Sequence, residues 1–232
     1  MPGPPRGLAL SIVECQPYPK GRAGGVPGAM MAPMVTVALL SPLAYLLGTF
    51  PSAVLVARAR GVDITAEGSG NPGASNVIRV LGWRIGALVL LLDFAKGAVA
   101  GGVGLAVAER PGAYVLGIAA VVGHTFPMLR KGGKGVAAAG GMLVVLFPVI
   151  VVALGVVWIA IAKGLRKASI ASLVITVAFP VAVAVSGKAW WETALITVMA
   201  ALVTLRHAGN IRRLIRHEEH DLVAGSTPPT RH

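Results

Sequence analysis

Charge is scarce in this chain. Only 13% of its 232 residues are Asp, Glu, Lys or Arg, about half the share usual in a soluble domain. Hydrophobic residues reach 55% and mean hydropathy is +0.76, which excludes a water-soluble globule and points to a polytopic membrane protein. Cysteine is almost absent: Cys15 alone excludes an intrachain disulfide framework and a cysteine-built zinc cluster. No compact basic segment leads into a short apolar core and a small-residue cleavage site, so a cleaved signal peptide is not recognisable. Acidic residues number 9 against 21 basic ones, a net charge of +12. That excess suits nucleic acid, anionic lipid or a phosphorylated substrate, and its distribution decides among them.

Long apolar runs take the place of charge. Residues 34–57, 85–108, 113–129, 168–186 and 189–205 each have the roughly 17–25 residues that cross a bilayer. A sixth run, 136–162, is too long for one untilted crossing and short for two, with Pro148 near its middle. Basic residues cluster at Arg58, Arg60, Arg79 and Arg84; at Arg130, Lys131 and Lys134; at Lys163, Arg166 and Lys167; and at Arg206, Arg212, Arg213 and Arg216. The positive-inside rule puts all four clusters in the cytoplasm. That requires 136–162 to go out and return as two short helices broken near Pro148. The expected fold is therefore all-α, a polytopic integral membrane protein of about seven transmembrane helices. Its N-terminus is outside and its C-terminus inside.

Residues 1–33, rich in Pro and Gly, read as a disordered tail, or as the product of a start codon placed too early, since Met30, Met31 and Met34 each precede the first run. Residues 34–220 are expected to form one membrane-embedded domain, and 221–232 a second disordered tail.

This topology gathers three polar motifs at one face. GSGNPGASNVIR, residues 68–79, holds three glycines, two serines and two asparagines, with Arg79 at its end. Bare backbone N–H groups, short polar side chains and a guanidinium fork suit a phosphate. In GHTFPMLRKGGKGVA, residues 123–137, Lys131 and Lys134 bracket Gly132 and Gly133, and Gly135 opens a helix, so ammonium groups and a helix N-terminus can face one anion. The nucleotide-triphosphatase pattern GxxxxGK followed by Ser or Thr is not matched. In RHAGNIRRLIRHEEH, residues 206–220, Arg206, His207 and Asn210 share one helix face where the last run leaves the membrane.

Taken with LDFAKG at 92–97, these motifs resemble the bacterial glycerol-3-phosphate acyltransferases that use acyl phosphate as donor, over most of residues 40–220. The resemblance implies transfer of a fatty acyl group to the first hydroxyl of glycerol 3-phosphate, giving 1-acylglycerol 3-phosphate (lysophosphatidic acid) and inorganic phosphate, the entry step of phospholipid synthesis. It implies no cofactor and no metal. By position, Ser69, Arg79 and Lys134 would hold phosphate groups, His207 and Asn210 the glycerol substrate, and Glu219 would matter in the last motif. Gly68, Gly70, Gly132, Gly133 and Gly135 would let backbone approach; Asn71, Asn76, His124, Lys131 and Arg206 complete the expected binding set. The chain departs from the family in Ser75 and Ala138, where Thr is usual, and in His217, where Gly is usual.

Two doubly ionised substrates need a cationic, N–H-lined pocket, and an activated acyl phosphate needs mainly positioning. The base is either His207 or an oxygen of the substrate phosphate. His124 is either a structural hydrogen bonder or a substrate contact, and Asp93 and Lys96, three apart in a span, either act or pair. The small-residue stretch 97–104 reads as close helix packing; Arg212, Arg213 and Arg216 read as lipid-head contacts. A transporter or channel for a phosphorylated anion is the alternative, although three motifs at one face fit a midplane site poorly. No histidine is followed, after four intervening residues, by an aspartate, so the His-x4-Asp pattern of acyltransferases using acyl-CoA or acyl carrier protein is not matched. Short basic loops between spans are no continuous nucleic-acid surface. The partners expected are the two substrates and membrane lipid, with a monomer in the bacterial cytoplasmic membrane and its site on the cytoplasmic face.

Overall fold

The computed structural model describes residues 27–222, with side chains from residue 31. All regular structure among these residues is helical: α1 Pro27–Thr49, α2 Ser52–Arg58, α3 Ala74–Leu81, α4 Trp83–Thr125, α5 Val136–Leu146, α6 Pro148–Leu165, α7 Ala168–Val185, α8 Trp190–Arg206 and α9 Ala208–Ile215. The all-α membrane class is as expected. Four of these helices are long and apolar enough to cross a membrane, five if α8 and α9 count as one span bent by 57°. At 43 residues, α4 would be about 65 Å long if straight, twice the hydrocarbon thickness. It folds back at Ala108 and Glu109, whose dihedrals are not helical, and so supplies two of the expected runs. The count of seven is approximate, since α5, at 11 residues, is too short to span alone.

The breaks follow local chemistry. Pro148 occupies the first turn of α6, where its fixed φ and missing N–H cost nothing, and the chain bends at Phe147 (φ −142°, ψ 60°), so the sixth run divides where its proline predicted. The first run is a single candidate span as expected, Met31–Arg58, interrupted at Phe50 and Pro51 between α1 and α2. The third ends at Thr125 rather than 129.

Small residues set the packing distances. A Cβ on Gly104 would collide with the Gly112 carbonyl across the fold of α4, one on Gly97 with the Ala138 carbonyl, and one on Gly141 with the Phe94 carbonyl. The stretch 97–104 is thus the seam on which α5 and both halves of α4 meet, as in membrane helix pairs generally. Outward faces stay apolar: Val149, Val152 and Val156 of α6 are 79%, 63% and 63% exposed, a surface that lipid and not water must cover.

Residues 27–33 belong to α1 and not to a tail; residues 1–26 and 223–232 lie outside the described residues. At the other end, Leu222 N–H donates to the Arg166 carbonyl (2.6 Å) and Lys167 Nζ donates to Asp221 Oδ1 (2.8 Å), so the start of the expected C-terminal tail is strapped to the α6–α7 turn.

Candidate functional site

The first motif is built around Asn76, only 1% exposed. Its Oδ1 accepts from Ser69 N–H (2.8 Å) and Arg79 Nη1 (3.1 Å), while Nδ2 donates to the carbonyls of Ile64 (3.1 Å) and Glu67 (2.9 Å). Gly68 and Gly70, at φ 57° and 64°, permit the turn that brings Ser69 back to α3. Asn76 was expected to bind substrate; its hydrogen-bonding capacity is instead spent inside the protein. It thereby ties Ser69 and Arg79, ten residues apart in sequence, to one amide oxygen. Arg79 Nε also donates to the Asp221 carbonyl (2.8 Å), and Ser69 Oγ has no protein partner among the described residues, leaving both able to take a ligand.

The second motif divides. Lys134, Gly135 and the first turn of α5 face a cavity of ≈ 350 Å³ that also receives Ser69, Asn71, Arg79, His207, Asn210 and Glu219. Gly135, at φ 91°, makes the turn that starts α5 there. Burial pushes the Lys134 ammonium down to about 8; Glu219 opposes this, and Arg213, Arg79 and Arg206 reinforce it. Such an ammonium, short of solvent and surrounded by cations, gains from a bound anion. Lys131 is exposed, and with Gly132 and Gly133 it lies outside this cavity, beside a small separate recess. The glycines serve packing: Gly133 N–H donates to the His124 carbonyl (3.0 Å), and a Cβ on Gly133 would strike the His124 ring. Arg206, expected in the pocket, points the other way, donating from Nη2 to the carbonyls of Gly132 (3.1 Å) and Gly133 (3.3 Å) with its guanidinium over Phe126.

His124 stands between cavity and recess, 3.6 Å from Asp93 through Nδ1. Asp93 Oδ1 also accepts from Lys96 Nζ (2.7 Å) and Ser52 Oγ (2.9 Å), and Lys96 donates to the Phe50 carbonyl (2.6 Å). The Asp93–Lys96 pair therefore clasps the α1–α2 break.

The third motif closes the cavity. His207, 2% exposed, shares a hydrogen bond with the Val203 carbonyl through Nδ1 (2.8 Å). A carbonyl only accepts, so Nδ1 carries the hydrogen and a neutral ring presents the Nε2 lone pair. Glu219 is held on every side: Oε1 accepts from Asn210 Nδ2 (2.7 Å) and Ser169 Oγ (3.0 Å), Oε2 from Arg213 Nε (2.9 Å), and its carbonyl from Lys167 Nζ. Burial raises its pKa, but the hydrogen bonds from Asn210, Ser169 and Arg213 outweigh this and hold it below the usual value. Arg213 is thus an organiser of the site, where a lipid-head contact was expected. Ser169, Lys167 and Asp221 were missed; the one available signal was a lysine and serine opening an otherwise apolar run.

Beyond this polar end the cavity continues between α4, α5, α6, α7 and α8, lined by Phe94, Leu143, Leu154, Trp158, Phe179 and Met199 among others. One end suits anions, the other a hydrocarbon chain.

A family model described as glycerol-3-phosphate acyltransferase matches residues 38–217. Curated relatives carrying that name include one from Myxococcus xanthus, 43% identical over 76% of this chain and 95% of its own, and one from Pseudomonas paraeruginosa, 44% identical over 78% and 97%. Two crystal structures of PlsY (YgiH), an integral membrane glycerol 3-phosphate acyltransferase, superpose with TM-scores of 0.75 for the glycerol 3-phosphate form and 0.73 for the lysophosphatidic acid form, at 35% identity over 80% of this chain and 95% of theirs. A cationic cavity opening into an apolar channel, on a helical frame shared with these proteins, agrees with that match: the chain belongs to the glycerol-3-phosphate acyltransferase family.

Proposed function

We propose that this protein transfers a fatty acyl group from acyl phosphate to the first hydroxyl of glycerol 3-phosphate, releasing inorganic phosphate and lysophosphatidic acid at the cytoplasmic face of the bacterial plasma membrane. The observation that carries this reading is the single cavity in which Ser69, Arg79, Lys134, His207 and the α5 N-terminus share one end and hydrocarbon side chains the other. The site assignments rest on that geometry together with the family motifs.

Arg79, Lys134 and the backbone of α5 bind the two phosphates and offset their mutual repulsion. Ser69 Oγ donates to a phosphate oxygen. The glycerol hydroxyl oxygen attacks the acyl carbon, forming the ester bond; the bond between that carbon and the phosphate oxygen breaks, and its electron pair leaves on phosphate. Stabilising that charge is the main contribution required. The hydroxyl proton passes to His207 Nε2 or to an oxygen of the substrate phosphate. Asn210 and Glu219 anchor the glycerol end through the network around Ser169 and Arg213. The anion-transporter alternative finds no support in a cavity whose ionic groups are confined to one end.

The test is a phosphate-release assay on purified protein in detergent or lipidic phase. Phosphate should appear only when acyl phosphate and glycerol 3-phosphate are both present, and acyl-CoA should not replace the donor. Release with acyl-CoA, or transfer without phosphate release, would overturn the donor assignment.

A further inference from the structure

The apolar end of the cavity has a floor. From the polar end, α7 runs ten residues from Ser169 to Phe179, about 15 Å at 1.5 Å per residue; α8 runs back eleven from His207 to Ile196, about 16 Å; and α5 runs eight from Gly135 to Leu143, about 12 Å. Phe179, Ile196 and Leu143 all line the cavity and all belong to one buried cluster with Phe147 and Val183. Three helices therefore end the channel at a common depth, on side chains that are 8%, 1% and 5% exposed.

That floor is braced from behind. The Phe179 ring meets Phe147 edge to face, centroids 6.0 Å apart. Phe147 carries the Arg110 guanidinium at 4.9 Å from its ring centre. Arg110 is itself clamped, by paired bonds to the Glu192 carboxylate and by one to the Leu146 carbonyl (3.4 Å), while Tyr114 Oη donates to Glu192 Oε2 (2.9 Å). An ion pair, an aromatic pair and the α5–α6 break thus hold one ring in place. Close packing of this kind resists displacement, so a longer chain would have to push the Phe179 ring against a braced neighbour.

Resting on the acyl-phosphate reading above, we infer that Phe179, backed by Phe147 and Arg110, is the specificity-determining end wall that sets the longest acyl chain this enzyme accepts. Shortening the side chain deepens the channel; enlarging Ile196 makes it shallower. Discrimination of one or two methylenes in a hydrophobic pocket is worth about tenfold or more in kcat/KM.

The experiment measures kcat/KM with a ladder of saturated acyl phosphates, at fixed glycerol 3-phosphate, for wild type, Phe179→Ala, Phe179→Leu and Ile196→Phe. The Phe179 variants should raise the ratio of long-chain to short-chain activity by roughly tenfold, Ala more than Leu, and Ile196→Phe should lower it. Where Phe179→Ala does not yield folded protein, Phe179→Leu and Ile196→Phe decide the matter. Active variants with the wild-type chain-length profile would overturn the end wall alone. A wild type inactive with every acyl phosphate would overturn the donor reading and this inference with it.

Discussion

Asn210 Nδ2 lies 2.7 Å from Glu219 Oε1, joining α9 to the segment that follows it, outside any regular element. Ser169 and Arg213 complete the grip, so the carboxylate of Glu219 is the point through which α7, α9 and the C-terminal strap are tied together. Glu219→Ala would strand three donors beside a buried site. Each unpaired buried group costs about 1–3 kcal/mol, so the variant should melt earlier in a detergent thermal scan and lose most activity, whereas Glu219→Gln, which retains the shape, should keep more of both.

Lys134 gives the pH dependence a sign. Its folded pKa, pushed down to about 8 from the ordinary lysine value by burial, means that the folded site holds its proton less tightly than the unfolded chain. Lys134 therefore opposes folding fully below about 8, and that opposition is relieved as pH rises toward the unfolded value. Binding runs the other way, since the ammonium that attracts phosphate is lost above about 8. The KM for glycerol 3-phosphate should rise over about pH 7 to 9.5 in wild type and stay flatter in Lys134→Arg, which remains charged. An equal rise in both would refute the role of Lys134.

His217 sits at φ 59°, in the left-handed region that favours glycine. Glycine at this position would avoid a cost of roughly 1–2 kcal/mol for a side chain there. His217→Gly should leave activity in place and raise the melting temperature; a lower one would mean that the His217 side chain contributes a contact worth more than the strain.

The Asp93–Lys96 pair is 3% and 4% exposed. Removing one partner leaves a buried charge, costing about 3–5 kcal/mol. Lys96→Met should therefore be more damaging to thermal stability than the double change Asp93→Asn with Lys96→Met, and a double variant as unstable as the single one would contradict the pairing.

Ser69→Ala, Arg79→Ala and Lys134→Ala should each remove most phosphate release while melting near wild type, and Arg79→Lys should not rescue, because a point charge cannot reproduce a fork already shared among Asn76 and the Asp221 carbonyl. Full activity in all three alanine variants would end the site assignment.

Composition and periodicity alone made this chain a helical membrane protein, since apolar runs of spanning length can satisfy their backbone in lipid only as helices. The proline at 148 located the α5–α6 break, because a missing N–H acts within one turn. The glycine-rich motifs and their cations marked Ser69, Arg79 and Lys134. Tertiary structure decided which residues within those motifs face the cavity. Asn76, Gly132, Gly133 and Arg206 look in sequence like further ligands, yet in the fold Asn76, at the cavity wall, spends its amide on Ile64, Glu67, Ser69 and Arg79, Gly133 bonds to the His124 carbonyl, and Arg206 bonds to the carbonyls of Gly132 and Gly133. Ser169, Lys167 and Asp221, dull in sequence, became part of the site. The reason is physical: local chemistry determines where a helix starts, stops or bends, but a polar side chain's partner is chosen by whichever distant backbone or carboxylate the packing of glycine seams brings within about 3 Å.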